Sequence, residues 1–273
     1  MGSGIAEVCA RAGLDVVVVE VDSDALANGR RRVEASLERA SQRGKLAQGA
    51  GAETLGRIRF STEITELADR QLVVEAVVED LGAKVAVFAA LDKVVHDDSI
   101  LASNTSSIPI MKLAMATRRA PQVVGIHFFN PVPVMGLVEL VTSLLTSDAT
   151  AEAAVDFATN VLGKRVVRSK DRAGFVVNAL LIPYLLSAVR MFESGFATAV
   201  DIDTAMVVGC AHPMGPLALS DFIGLDTVLA VAQSLYDEFK EPLFAPPPLL
   251  ARMCEAGLLG RKRGRGFYEY DQG

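Results

Sequence analysis

A doubly wound α/β domain followed by an all-helical one is what this sequence predicts, on three observations. Short valine-rich runs alternate with amphipathic stretches over the first part of the chain. The first of those runs, "VVVV" at 16–19, is apolar on both faces, as a strand buried in a parallel sheet must be. After "SKDRAGF" the alternation stops and only helical periodicity is left. The boundary falls between residues 172 and 173, giving a sheet domain over 1–172 and a helical domain over 173–273.

The elements follow in order. The opening "MGSGIAEVCARAGL" predicts a helix over 4–12 stopped by Gly13. A strand over 15–21 leads into a long polar helix over 23–42, which carries "RRRVEASLERASQR". Strands at 58–60 and 71–77 flank a short helix at 64–67, for which Thr62 is the expected cap. Then come an amphipathic helix over 84–95, a strand over 99–102 and a helix over 110–116. "QVVGIHFF" and "GLVELVT" read as strands, 149–162 as helix and 164–168 as strand. In the second domain a long apolar helix over 176–193 is interrupted by Pro183. Shorter helices follow at 201–208, 216–221 and 227–239, and "EPLFAPPP" is a proline-stiffened loop.

Composition narrows the function. With 51% hydrophobic and 22% charged residues the chain reads as a globular protein with a large core. A net charge of −6 argues against nucleic acid as a partner. No apolar run approaches the roughly 20 residues that span a bilayer, so no membrane is expected either. Cys9, Cys210 and Cys254 form no CxxC; they fit reduced thiols in a cytoplasmic setting, with core filling as their role. The three histidines and three cysteines are too dispersed for a metal site.

Two stretches carry chemistry. In "MGSGIAEVCARAGLDVVVVE" a glycine turn enters a helix, and a strand ends in an acid. That is the second part of a Rossmann-type dinucleotide fingerprint, whose glycines admit the pyrophosphate and whose acid accepts from the ribose hydroxyls. Gly2 fits the third glycine, Gly4 opens the helix and Glu20 ends the strand. A glycine-rich terminus before any α/β unit explains the fragment equally. A carboxylate at Glu20 would repel a 2′-phosphate and so favours NAD over NADP. The first strand and first two glycines of the fingerprint are absent. In the strand order 3-2-1-4-5-6 that strand is central, so its two neighbours lose ladder partners. Met1 reads as the internal methionine of the glycine loop, with about 15 further residues containing V-x-G-x-G expected upstream. If the chain acts as it stands, weakened or lost NAD binding is the expectation.

The second stretch is "GIHFFNPVPVMGLVELV". His127 ends a strand, Asn130 and two prolines break regular structure after it, and Glu139 lies in the next strand. Strand ends are where open α/β folds gather catalytic side chains. Histidine is the common general base near neutral pH, and a carboxylate partner fixes its tautomer and raises its basicity. A structural His–Glu pair has the same spacing.

This segment resembles the signature of the L-3-hydroxyacyl-CoA dehydrogenase family, H-F-F-N-P-V-P-x-M-x-L-V-E. "VVEAVVED", "LASNTSSIPI", "DRAGFVVNALLIPYL", "HPMGPLALSDFIGLD" and "GRKRGRGFYEY" are similar to the family's other blocks, in the family's order. The resemblance implies an NAD-binding Rossmann-type domain over 1–172 and a helical substrate and dimerisation domain over 173–273. It implies reversible oxidation of a 3-hydroxyacyl-CoA, short-chained as in 3-hydroxybutyryl-CoA, to the 3-oxoacyl-CoA, in fatty acid or butanoate metabolism. By position, His127 takes the hydroxyl proton and Glu139 holds it. Ser106 and Asn178 bond the substrate oxygen, with Ser106 also on the nicotinamide side. Asn130, Glu79, Lys84 and Lys262 contact the cofactor, and Ser36 and Arg43 contact coenzyme A. The partners implied are an acyl-CoA and a second copy of the chain.

Plain structural readings stand beside these roles. Ser107 could replace Ser106 as the contact, Asn178 could cap a helix, and Glu79 and Lys84 could be a charge pair at a helix start. Ser36 and Arg43 could lie on a solvated face. Gly136 stands where the family carries a larger residue. The alternative functions are a dehydrogenase of the same fold acting on a sugar acid, and a non-catalytic binding protein.

Overall fold

Strand and helix alternate from the first residues, and the reasons are local. The computed structural model describes residues 1–271 and divides into two units, Met1–Asp171 and Arg172–Gly273. In the first unit, helix α1 (Gly2–Arg11) starts two residues earlier than the sequence predicts. The carbonyl of Met1 accepts from both Gly4 N–H and Ile5 N–H, which closes the first turn at Gly2. Strand β1 (Val16–Val19) and the 20-residue α2 (Ser23–Gln42) follow, the latter capped by the Asp22 carboxylate on Ala25 N–H at 2.8 Å.

Helix α3 (Ala50–Gly56) is not visible in the sequence pattern, because two glycines and a short apolar content hide it. Strand β2 (Ile58–Ser61) pairs with β1 in parallel. The short turn after it is not capped by Thr62: Glu63 occupies the cap position, and its N–H donates to the Ser61 hydroxyl. Strand β3 (Leu72–Glu75), helix α4 (Leu81–Val94), strand β4 (Ile100–Ser103), helix α5 (Ile110–Ala114) and strand β5 (Val123–Phe128) come next. Then follow strand β6 (Leu137–Thr142), helix α6 (Asp148–Asp156) with a wider turn, Phe157–Val161, and strand β7 (Arg165–Lys170).

The sheet is in two pieces, β1–β2 and β3–β4–β5–β6–β7. Strand β1 is half-buried at all four positions rather than fully buried, since it pairs with β2 alone. All pairings are parallel except β5 with β6. The strands of an otherwise parallel sheet are joined by helical crossovers, but only residues 129–136 separate β5 from β6. A parallel return needs a dozen residues or more, so the chain doubles back. Ile126, Phe128, Val138 and Leu140 from this pair are buried against Ile5 and Cys9 of α1 and Ala151 and Ala154 of α6.

The second unit is helical: α7 (Val177–Glu193), α8 (Ala199–Gly209), α9 (Pro216–Ile223), α10 (Leu225–Phe239) and α11 (Pro248–Glu255). Pro183 does not interrupt α7. It removes one ladder bond, but Ile182, Leu185, Leu186 and Val189 are buried around it and hold the helix through. The proline run ends as the first turn of α11, where a missing N–H costs nothing. The core is formed by α7 with Leu217 of α9, Val228, Ala232 and Leu235 of α10, and Leu250 of α11. No single helix among the described residues is long and apolar enough to cross a membrane.

Candidate active site

The antiparallel turn-back brings His127 and Glu139 face to face. They are direct partners in the β5–β6 register, and His127 Nδ1 lies 2.8 Å from Glu139 Oε2. The Glu139 carboxylate is fully buried, and His127 is 6% exposed. The ring of Phe129 leans on the imidazole, with centroids 4.5 Å apart. A carboxylate on Nδ1 selects the tautomer whose Nε2 carries the lone pair, and it stabilises the ring once charged. Asn130 follows in the exposed loop. That loop is clasped from the start of β7: Lys164 Nζ donates to the carbonyls of Val132 and Met135, at 2.7 and 2.6 Å.

A second polar group forms where β3 and β4 end. Glu75, the last residue of β3, accepts from Lys84 Nζ at 2.7 Å, Val77 N–H at 2.7 Å and Ser103 Oγ at 2.6 Å. Lys84 also reaches Glu79 at 3.2 Å, and its side chain is 1% exposed. Glu79 is half-exposed. Its Oε1 faces the loop after β4, accepting from Thr105 Oγ1 at 2.6 Å and Ser106 N–H at 2.9 Å, with both serine hydroxyls and Ser107 N–H at 3.3 Å. Burial pushes the Glu79 carboxyl up, but these hydrogen bonds and the Lys84 charge outweigh it and hold the group below the usual range. The first residue of that loop ties in β5, since Asn104 Oδ1 accepts from Phe128 N–H at 2.9 Å.

Glu79, Lys84 and Ser106 thus come together, and so do His127 and Glu139, while Asn130 stands in the exposed loop that follows. Glu75, Ser103 and Asn104 were missed by sequence reasoning. Their only signal was polar side chains closing apolar strands. Lys84 is a charge pair with Glu79, as the plain reading had it, but one sunk in the core rather than displayed at a helix start.

Glu20 follows the carboxyl end of β1, beside the first turn of α1. The space a Cβ at Gly29 would occupy lies 3.6 Å from Glu20 Oε1 and 3.8 Å from Ser3 Oγ, so this glycine of α2 leaves both uncovered. The first turn of α1 carries no acid and no side-chain cap. An uncapped helix N-terminus with a carboxylate at the neighbouring strand end suits a dinucleotide. Gly4 does not open this helix. It packs closely on the loop after β5, where an added Cβ would stand 3.1 Å from Val132 Cβ and push that side chain back by a few tenths of an ångström. Ser36 is half-buried on α2, and the exposed Arg43 caps that helix two turns further on.

In the second unit, Asn178 is the second residue of α7 and does not cap it; Val176 holds the cap position. Lys262 pairs with Asp226 at 2.6 and 2.7 Å. Its segment is stapled by Asp221, which accepts from Phe267 N–H, Tyr268 N–H and Tyr270 OH, each at 3.0 Å. Among the described residues no cluster of three or more His, Cys, Asp or Glu could hold a metal ion.

Comparison with known proteins gives this geometry a family. Residues 1–172 match "3-hydroxyacyl-CoA dehydrogenase, NAD binding domain" and residues 174–270 match "3-hydroxyacyl-CoA dehydrogenase, C-terminal domain". The chain is 59% identical over 271 residues to a 3-hydroxybutyryl-CoA dehydrogenase of Mycobacterium tuberculosis, covering 99% of this chain and 95% of that one. The crystal structure of M. tuberculosis FadB2 superposes with a TM-score of 0.98 at 58% identity, over 99% of this chain and 95% of that one. That of (S)-3-hydroxybutyryl-CoA dehydrogenase PaaH1 from Ralstonia eutropha gives 0.93 at 46% identity, over 100% and 96%. The chain belongs to the 3-hydroxyacyl-CoA dehydrogenase family, its first unit being the family's NAD-binding domain.

Proposed function

We propose that this chain oxidises a short-chain 3-hydroxyacyl-CoA, with 3-hydroxybutyryl-CoA as the expected substrate, to the 3-oxoacyl-CoA, and runs the reverse reduction. The observation that carries this reading is the buried His127–Glu139 pair at 2.8 Å, at a strand end in a chain of this family. NAD, when bound, supplies the hydride acceptor. The protein's part is the proton. As the C3 hydrogen leaves with its electron pair, the C3–O bond becomes a carbonyl and His127 Nε2 takes the hydroxyl proton. Glu139, accepting from Nδ1–H, keeps Nε2 basic and stabilises the imidazolium. In the reverse direction the same proton returns to the alkoxide. The Ser106 hydroxyl, turned from its 3.3 Å contact with Glu79 Oε1, and the Asn178 amide are the donors we assign to the substrate oxygen, where developing charge needs them.

We assign the remaining contacts by the same logic. Gly2, Gly4 and Glu20 serve the adenosine end of the cofactor. Glu79, Asn130 and Lys262 serve its nicotinamide end, with Lys84 acting from beneath through Glu79. Ser36 and Arg43 meet coenzyme A. We also propose a homodimer formed by the helical unit. Leu180, Phe196, Val200 and Val208 are each more than half exposed there, a density of apolar surface that a second copy would cover.

The test follows NADH absorbance with acetoacetyl-CoA. A chain extended by the residues expected upstream should turn over, and the 273-residue chain should do so more weakly or not at all. His127→Ala in the extended chain should lose on the order of 10²–10⁴ in kcat, the worth of a general base. Undiminished turnover by the alanine variant would remove His127 from its role. Activity on a free hydroxy acid without CoA would replace the substrate.

A further inference from the structure

Glu75 belongs to no contact that the proposed reaction uses, yet it is the most deeply buried acid of the group at the ends of β3 and β4. It is 4% exposed, and both carboxylate oxygens are engaged, by Lys84, Val77 N–H and Ser103. A buried lysine needs one carboxylate to be neutralised, and Lys84 has two. Glu75 lies at the inner end of the lysine, 2.7 Å away, and Glu79 at the outer end, 3.2 Å away. The inner carboxylate fixes where the ammonium sits. The ammonium in turn draws one oxygen of Glu79 inward, leaving the other to receive the N–H groups of Ser106 and Ser107 and the Thr105 hydroxyl. Ser103, on Glu75's other oxygen, accepts from Thr105 N–H at 3.2 Å and so ties the base of the same loop to the same acid.

We infer that Glu75 is a positioning residue: acting through Lys84 and Ser103, it holds Glu79 against the loop at 105–107 and so presents Ser106 in a single conformation. The inference rests on the function proposed above, in which Ser106 meets the substrate oxygen. Glu75 itself touches neither substrate nor cofactor. A three-membered chain of charges, inner acid, lysine and outer acid, transmits order from the core to a loop in which Thr105, Ser106 and Ser107 all bond one half-exposed oxygen. Without the inner acid the lysine is free to move to Glu79 alone, and the loop loses its fixed acceptor. A buried ion pair is poor evidence of stability by itself, since well-packed apolar groups often replace one without loss. Its retention here is explained by what it aims.

The experiment compares wild type, Glu75→Gln, Ser103→Ala and the double variant Glu75→Gln/Lys84→Met. It reads amide hydrogen exchange over residues 104–109, Tm, and steady-state kinetics with NADH and acetoacetyl-CoA. In Glu75→Gln, exchange at Ser106 and Ser107 is expected to rise about tenfold or more while β5 stays protected. Its kcat is expected to fall by a similar factor, and the KM for acetoacetyl-CoA to change less than about threefold, because the coenzyme A grip lies elsewhere. Ser103→Ala, the gentler change, should loosen the same segment to a smaller extent, and it carries the test if Glu75→Gln does not fold. The double variant separates positioning from stability. Removing both buried charges should recover Tm but restore neither kcat nor loop protection. Unchanged exchange at 106–107 in Glu75→Gln would overturn the inference, as would recovery of kcat together with Tm in the double variant. An upstream-extended wild-type chain that did not turn over acetoacetyl-CoA would sink the proposed function instead, and the exchange readout would still decide whether Glu75 orders the loop.

Discussion

Two residues before His127, β5 has no room for a side chain. A Cβ on Gly125 would stand 2.8 Å from Val141 Cβ and 2.9 Å from Ile110 Cδ1, so β6 and α5 close on the strand from both sides. Gly125→Ala must push β6 away from β5, and β6 carries Glu139. Overpacking of this kind costs about 1–3 kcal/mol, so a fall of several degrees in Tm is expected by thermal denaturation, with kcat reduced through the His127–Glu139 distance. The same scale shows what sequence reading could reach. His127 and Glu139 were legible because a histidine at a strand end, broken by Asn130 and two prolines, precedes an acid in the next strand within a segment that resembles a family signature. Glu75 was not. "VVVVE" and "LVVE" look alike, each a valine run closed by an acid. Glu20 ends beside a glycine of α2, whereas Glu75 turns inward to a lysine nine residues away. The difference lies in which neighbours the folded sheet supplies, and no local pattern encodes that.

Elements turn these bonds into titratable and cleavable devices. The loop after β4 hangs on Glu79, whose folded-state carboxyl is held below the ordinary value of 4.5. The sign follows from linkage: protonation favours the unfolded state, so the contribution is complete above the ordinary value and lost as pH falls through the folded one. Hydrogen exchange over residues 104–109 should therefore stay flat from pH 7 to about 5 and then rise relative to the rest of β4 and β5 in stronger acid. In Glu79→Gln that acid step should be absent, and its survival would move the effect to another carboxylate. The C-terminal segment depends on one acid as well. Asp221 is fully buried, and Gly260 and Gly266 have no room for a Cβ because both lie against it. Asp221→Ala strands three donors, and trypsin is expected to cut at Arg261, Lys262, Arg263 or Arg265 while the α7–α10 core persists, as read by mass spectrometry. Elements were legible where one periodicity ran long, as in α2, which is found at its predicted bounds. They were hidden where tertiary packing overrides local chemistry, as at Pro183 in α7 and in the glycine-bounded α3.

For the whole molecule, the alternation of strand and helix declared the fold class, a strand-and-helix first unit followed by a helical one. The division of the sheet into β1–β2 and β3–β7 was also legible, because the pattern lacks a strand where the order of such sheets puts one between β1 and β3. The reversal of β6 escaped that alternation, which carries no strand direction, although the eight residues between β5 and β6 already required it. What the helical unit leaves exposed is the last matter of scale. Leu180, Phe196, Val200 and Val208 are 72%, 79%, 61% and 77% exposed, and the proposed dimer places them against a second copy. Two copies related by a two-fold axis would bury the same patch on each. Light scattering after gel filtration should then give twice the chain mass at micromolar concentration. Phe196→Asp and Leu180→Asp together should halve it with the helical circular dichroism retained, because neither side chain belongs to the unit's own buried core. A wild-type monomer at that concentration would refute the assignment. So would a charged double variant that stayed dimeric, since the patch would then be exposed for some other reason.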